Sequence, residues 1–248
     1  MYRIINFILV VLLLAGCKSM HSINESESNV NQLYLESVAN ACLPTQAKVY
    51  DGLFSITAEN NQLIRKQIDG EEYILTVSWK NTVKWYVNDP KTGFYNSGGY
   101  QIWVTAAPQL LNRVSILNME NPDMRLKQLL GLPPNSEYGY FVEFWVKPTD
   151  LFRPCPDNEI DDYSCDLCFP EHSDSTYIQW INESRIDRYY PCDVDDKYPW
   201  TQLGYTYDWN PENKSHVGLS EYVIDVNKDI IVHKIYTTEE YIQKSKAK

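Results

Sequence analysis

Hydrophobic positions fall into three regimes along the chain. Phe7 to Ala15 (FILVVLLLA) is an unbroken apolar run, and Lys18 to Val30 (KSMHSINESESNV) is almost wholly polar. Beyond it, short apolar segments alternate with turn residues. Leu33, Tyr34, Ser37, Val38 and Ala41 recur at three and four, which predicts a short helix that Leu43-Pro44 ends. Period-two patterns then take over. Val49 to Thr57 reads as a strand, and Leu63 to Ile68 with Tyr73 to Trp79 flank Asp69-Gly70, a dipeptide that tolerates positive φ and predicts a hairpin. Val83 to Val87 and Tyr100 to Thr105 follow as strands, separated by Asp89-Pro90 and Gly98-Gly99.

Asn121-Pro122 predicts a helix start, with Asn as cap and Pro in the first turn, and Gly131 with Pro133-Pro134 stops it. Met124, Leu126, Leu129 and Leu130 form its apolar stripe. Tyr140 to Val146 (YFVEFWV) is bulky on both faces and reads as a central strand. Tyr177 to Ile186 fits a helix or a strand. Ser220 to Val226 and Ile230 to Tyr236 flank Asn227-Lys228-Asp229 as a second hairpin, and Thr237-Thr238-Glu239-Glu240 has the form of a capping box opening a final helix. With no repeat of 20–50 residues, solenoids and propellers drop out. The expected class is α+β, a mostly antiparallel sheet with a few short helices and a disulfide-stapled loop.

The apolar run near the N-terminus changes the picture of where the chain works. Its nine residues rise about 14 Å as a helix, too little for a hydrocarbon layer of about 30 Å, so it reads as an export signal. Leu14-Ala15-Gly16-Cys17 closes it and resembles the lipobox of bacterial lipoproteins. The resemblance covers only the signal and Cys17. It implies cleavage before Cys17, a diacylglycerol and a further acyl chain on that residue, and anchoring in a bacterial cell envelope. Two or three acyl chains at about 0.8 kcal/mol per buried CH₂ would hold permanently. Lys18 stands where an Asp would mark inner-membrane retention, which implies the outer membrane. The expected organisation is thus a signal peptide over 1–16, a lipidated Cys17 and tether over 17–30, and one globular domain over 31–248.

Charge and composition narrow the partners. Against 33 acidic residues stand 22 Lys and Arg, a net charge of −11, which argues against nucleic acid as a partner. Aromatic residues reach 13% of the chain, with 19 Tyr and 7 Trp, so aromatic faces are the natural material for a binding surface.

Five cysteines remain after Cys17, and an exported chain meets an oxidising compartment. Cys155, Cys165, Cys168 and Cys192 fall in a Pro-rich stretch and predict a loop stapled by two disulfides, at least one of them among these four, with the pairing left open. Cys42 is the odd one, or takes a partner and frees one of the four. Cys165-Asp-Leu-Cys168 has redox spacing but lacks the strand-to-helix setting of a redox pair. The four together make a poor zinc site, having a single C-x-x-C knuckle.

No Walker loop, G-x-S-x-G, H-E-x-x-H or G-x-G-x-x-G occurs, so no catalytic residue, metal or cofactor is assigned. His21, His172, His216 and His233 are scattered. Two segments hold candidate chemistry. Asp150 to Asp162 gathers Arg153, Asp157, Glu159 and Asp161 beside a cysteine; it lacks the glycine and final Glu of an EF-hand, and its carboxylates are the material for an acid–base pair. Tyr205, Tyr207 and Trp209 share strand parity, with Tyr198, Pro199 and Trp200 just ahead of them, and exposed they would stack on a sugar or a protein partner. The leading expectation is a lipid-anchored binding or structural protein engaging an envelope protein or a glycan through that surface. The alternative is a glycan or cell-wall hydrolase using carboxylates of 150–162.

Overall fold

A computed structural model describes residues 28–117 and 120–247. Cys17, the signal segment and the tether up to residue 27 lie outside the described residues. The chain opens on helix α1 (28–41), so the last residues assigned to the tether belong to a helix. Its buried Tyr34, Val38 and Ala41 confirm the three-four spacing.

The hairpin at Asp69-Gly70 forms as expected. Strands β1 (Arg65–Ile68) and β2 (Glu71–Lys80) pair antiparallel, and both turn residues have positive φ, 51° and 82°. Next come β3 (Tyr95–Asn96), β4 (Ile102–Ala106), α2 (Ala107–Ile116) and α3 (Pro122–Leu130), then β5 (Tyr140–Val146), β6 (Leu151–Phe152) and α4 (Ser175–Tyr189). β7 (Tyr205–Tyr207), β8 (Val217–Ser220), β9 (Tyr222–Ile224), β10 (Asp229–Thr237) and α5 (Thr238–Lys246) complete the chain. The class is α+β. An antiparallel, curled sheet runs β3-β10-β5-β2-β4-β9-β6, with β1 also on β2 and a separate β7-β8 ribbon.

Parity along β2 and β5 sorts the core into two layers. Ile74, Val142, Phe144 and Val146 point into the curl, with Ile102, Val104, Tyr222 and Ile224. Tyr73, Leu75, Val77, Trp79, Phe141 and Trp145 point outward, beneath Leu110, Leu111 and Val114 of α2, Leu126 and Leu129 of α3, and Tyr241 of α5. α3 behaves as its sequence requires: the Asn121 side chain accepts from the Met124 amide, and Gly131 ends the helix at φ 65°. Thr237 and Glu240 close a reciprocal capping box on α5.

Three expectations are corrected, and one open alternative is settled. Val49 to Thr57 forms no strand; its amides at Leu53 and Ile56 bond the carbonyls of Tyr163 and Ile160, so it lies against the cysteine loop instead of joining a ladder. Val83 to Val87 is a turn region, closed by Tyr86 N–H to Val83 O, and Trp85 and Val87 are exposed. β9 and β10 flank a turn at Asn227 (φ 56°) but do not pair. β9 bonds β4 and β6 while β10 bonds β5 and β3, so the turn is a corner of the curled sheet. The ambiguous segment around 177–186 is helical, capped by Asp174.

One disulfide, Cys155–Cys165, forms among the candidates, and both residues are buried. Cys168 and Cys192 are exposed thiols, and Cys42 is a half-buried one. Cys165 therefore pairs across the loop and not with Cys168, and the second bridge expected among the four does not form. No described helix is long and apolar enough to cross a membrane.

Candidate functional site

The aromatic stripe expected to be a binding face is core. Tyr205, Tyr207 and Trp209 are 4%, 6% and 3% exposed. They do not share one face either. Tyr205 joins a cluster with Leu53 and the disulfide, while Tyr207 and Trp209 pack on Tyr34 and Val38 of α1. The ladder shifts register between Tyr205 and Tyr207, with the extra residue on β8.

The 150–162 loop is likewise structural. Arg153 is fully buried and donates to the carbonyls of Ser164 and Asp162, and it pairs with the Asp162 carboxylate. Asp157 accepts from the Asp166 amide beside the disulfide, and burial pushes its carboxyl up to about 6. None of these groups opens on the main cleft.

That cleft, about 600 Å³, lies on the outward face of β2 and β4. One wall begins at Trp79 on β2, which stacks on Phe141 of β5 and on Tyr138, with ring centroids 5.5 and 5.0 Å away. The indole N–H of Trp79 donates to Thr238 Oγ1 at 2.9 Å and fixes the ring. The opposite wall is built by α4 and the segment after it. Trp180 donates its indole N–H to Gln101 Oε1 at 2.7 Å and stacks on Trp103 of β4. Trp200 meets Trp103 edge to face at 6.1 Å and donates to Pro154 O. The Tyr198 amide bonds the Arg188 carbonyl at 2.8 Å, and Tyr34 of α1 donates to Lys197 O at 2.6 Å. The wall at 197–200 is thereby tied both to α4 and to α1.

Two ionisable groups enter this aromatic frame, and a third borders it. Arg188, near the end of α4, lies over the rings of Trp103 and Tyr198, 4.8 and 4.9 Å from their centroids. Lys80 ends β2, and Glu221 stands between β8 and β9, its amide bonded to Gly204 O. Desolvation pushes the Glu221 carboxyl up to about 8, with Arg188 pulling the other way, and it lowers the Lys80 ammonium to about 8. At neutral pH the cleft therefore holds the Arg188 cation and a largely protonated acid, with Glu137 at the exposed rim, while the Lys80 ammonium lies by Tyr86 on the other face of β2.

Comparison with known proteins finds no matching family model, no matching curated protein and no matching solved structure.

Of the residues singled out from the sequence, Tyr207, Tyr198, Pro199 and Trp200 line the cleft. Glu221, Arg188 and Lys80 were not foreseen. The available signal for Glu221 was an acid interrupting the apolar run from Leu219 to Val226. The signal for Arg188 was weak, a second arginine three residues after Arg185 on a surface helix.

Proposed function

We propose that this chain is a lipid-anchored protein of a bacterial envelope that binds a glycan in the cleft between β2, β4 and α4. The anchor reading rests on Leu14-Ala15-Gly16-Cys17. The binding reading is carried by one observation: a concave site in which aromatic faces alternate with polar groups that have room for a ligand. Pyranose rings offer one apolar C–H face and an edge of hydroxyls. Tyr138 and Tyr198 suit the first; Gln101, Arg188 and Glu221 suit the second. Titration calorimetry against an oligosaccharide panel tests it. Micromolar to millimolar binding that weakens at least tenfold in Tyr138→Ala supports the assignment; absence of binding across the panel removes it. For the anchor, Cys17→Ala is expected to shift the protein from the membrane to the soluble fraction.

A hydrolytic reading now moves away from 150–162. It rests on Glu221, an acid kept protonated at neutral pH in the same cleft as Glu137, which is the pairing general acid catalysis uses. New reducing ends released by the wild type and not by Glu221→Gln would establish it.

A further inference from the structure

The glycan for this cleft is acidic: we infer that Arg188, clamped between Trp103 and Tyr198, seats a carboxylate of the bound sugar. This rests on the cleft being a glycan site and names its ligand class.

The first ground is geometric. The Arg188 guanidinium carbon lies 4.8 and 4.9 Å from the Trp103 and Tyr198 ring centroids, which holds the group in place, and its N–H groups make no hydrogen bond among the described residues. Their planar fork matches the two oxygens of a carboxylate, and held in place it loses little freedom on binding.

The second ground is that Arg188 is not neutralised by a carboxylate, as several other arginines and lysines of the fold are. Arg125 is paired with Asp208, Arg153 with Asp162, Lys127 with Asp123 and Lys244 with Glu143. Arg188 and Lys80 have no such partner among the described residues, and their side chains make no hydrogen bond there. Arg188 faces the cleft, whereas Lys80 only borders it: by the parity of β2 its ammonium lies on the other face, 6.0 Å from the Tyr86 ring. Glu221 shares the cleft without an ion pair to Arg188, and burial pushes its carboxyl up to about 8, so near neutral pH it presents an O–H donor. A chain with net charge −11 thus keeps one unpaired arginine in its cleft, an arrangement that suits a specific anion and does not gather anions generally.

The test compares oligouronates (galacturonate, glucuronate and mannuronate oligomers) with the same oligomers after reduction of each carboxyl to CH₂OH. We expect at least one oligouronate to bind tenfold or more tightly than its reduced form. Arg188→Gln should bring that ratio near one, Arg188→Lys should restore only part of it, and exposed Lys91→Gln should leave it unchanged. Should Arg188→Gln fail to fold, Arg188→Lys must lower the ratio on its own. Equal binding of acidic and reduced oligomers, or an unchanged ratio in the folded variants, overturns the inference and leaves the glycan site standing. Failure of every acidic and neutral oligomer to bind overturns both.

Discussion

Arg125 grips Asp208 with two parallel hydrogen bonds, Nη1 to Oδ1 at 3.0 Å and Nη2 to Oδ2 at 2.7 Å. Asp208 is fully buried, and Asn213 Nδ2 and the Asn210 amide supply its remaining donors. The pair joins α3 to the end of β7, next to the cleft wall. Removing one partner strands a buried charge, so Arg125→Ala is expected to cost about 3 kcal/mol in urea denaturation. Arg125→Lys should fall between, since one point charge cannot reproduce the fork. A loss below about 1 kcal/mol for the alanine variant would show that Asp208 is held well enough by its asparagine and amide donors.

A second expectation concerns the staple. Cys155–Cys165 closes a loop of ten residues, which restricts the unfolded chain by about 3 kcal/mol. Reduction, or Cys155→Ser with Cys165→Ser, should lower the melting temperature by that equivalent. Gly204 backs onto the bridge at φ 73°, and a Cβ there would lie 2.6 Å from Arg153 Cδ and 2.8 Å from Cys165 Sγ. Because Arg153 is fully buried and cannot swing away, Gly204→Ala is expected to destabilise by at least as much. A neutral Gly204→Ala variant would mean the loop shifts freely against β7.

Much of this fold was readable where local chemistry decides the outcome. Asp69-Gly70, Asn121-Pro122, Gly131 and Thr237 to Glu240 set turns and caps through groups within four residues, and each does so here. What escaped depends on distant partners. Val83 to Val87 has strand-forming residues but no ladder to join, and the turn at Asn227 changes strand neighbours instead of pairing them. Helix α2 had no counterpart in the expected elements because it starts directly where β4 stops, with no polar cap between Ala106 and Pro108. The site escaped for the same reason. Arg188, Lys80 and Glu221 are separated by more than thirty residues from one another in sequence, or stand alone, and only the curl of the sheet brings them to one cleft.

The capping box offers a direct check on the C-terminal helix. Thr237 Oγ1 accepts from the Glu240 amide at 3.2 Å, and the Glu240 carboxylate accepts from the Thr237 amide at 2.7 Å. Thr237→Ala should cost about 1 kcal/mol. The effect should extend beyond α5, because Tyr241 on that helix is stacked on Phe141 of the central strand at 4.4 Å. Hydrogen exchange would show it as faster opening of α5 first and of β5 only with global unfolding; uniform acceleration would argue that α5 and the sheet open as one unit.

The last expectation follows from the sign of the Glu221 shift. Its carboxyl rests at about 8 in the fold, against an ordinary value of 4.5 once unfolded. Between those values the unfolded chain gives up a proton that the folded chain keeps. Stability therefore falls as pH rises through this window, by at most about 1.4 kcal/mol per pH unit from this group. Below pH 4.5 both states are protonated and the contribution is flat. Above pH 8 both are ionised, and Lys80, lowered to about 8 in the fold, reverses the slope because it then sheds its proton before the unfolded chain does. Glu221→Gln keeps the shape and removes the titration. The variant should match the wild type near pH 4.5 and exceed it increasingly up to pH 8, by a few kcal/mol at most. Melting curves of the two proteins at matched ionic strength decide it. If their difference stays constant across that range, Glu221 titrates as a solvated carboxylate, and the cleft is wetter and less able to hold a neutral acid beside Arg188 than its aromatic walls imply.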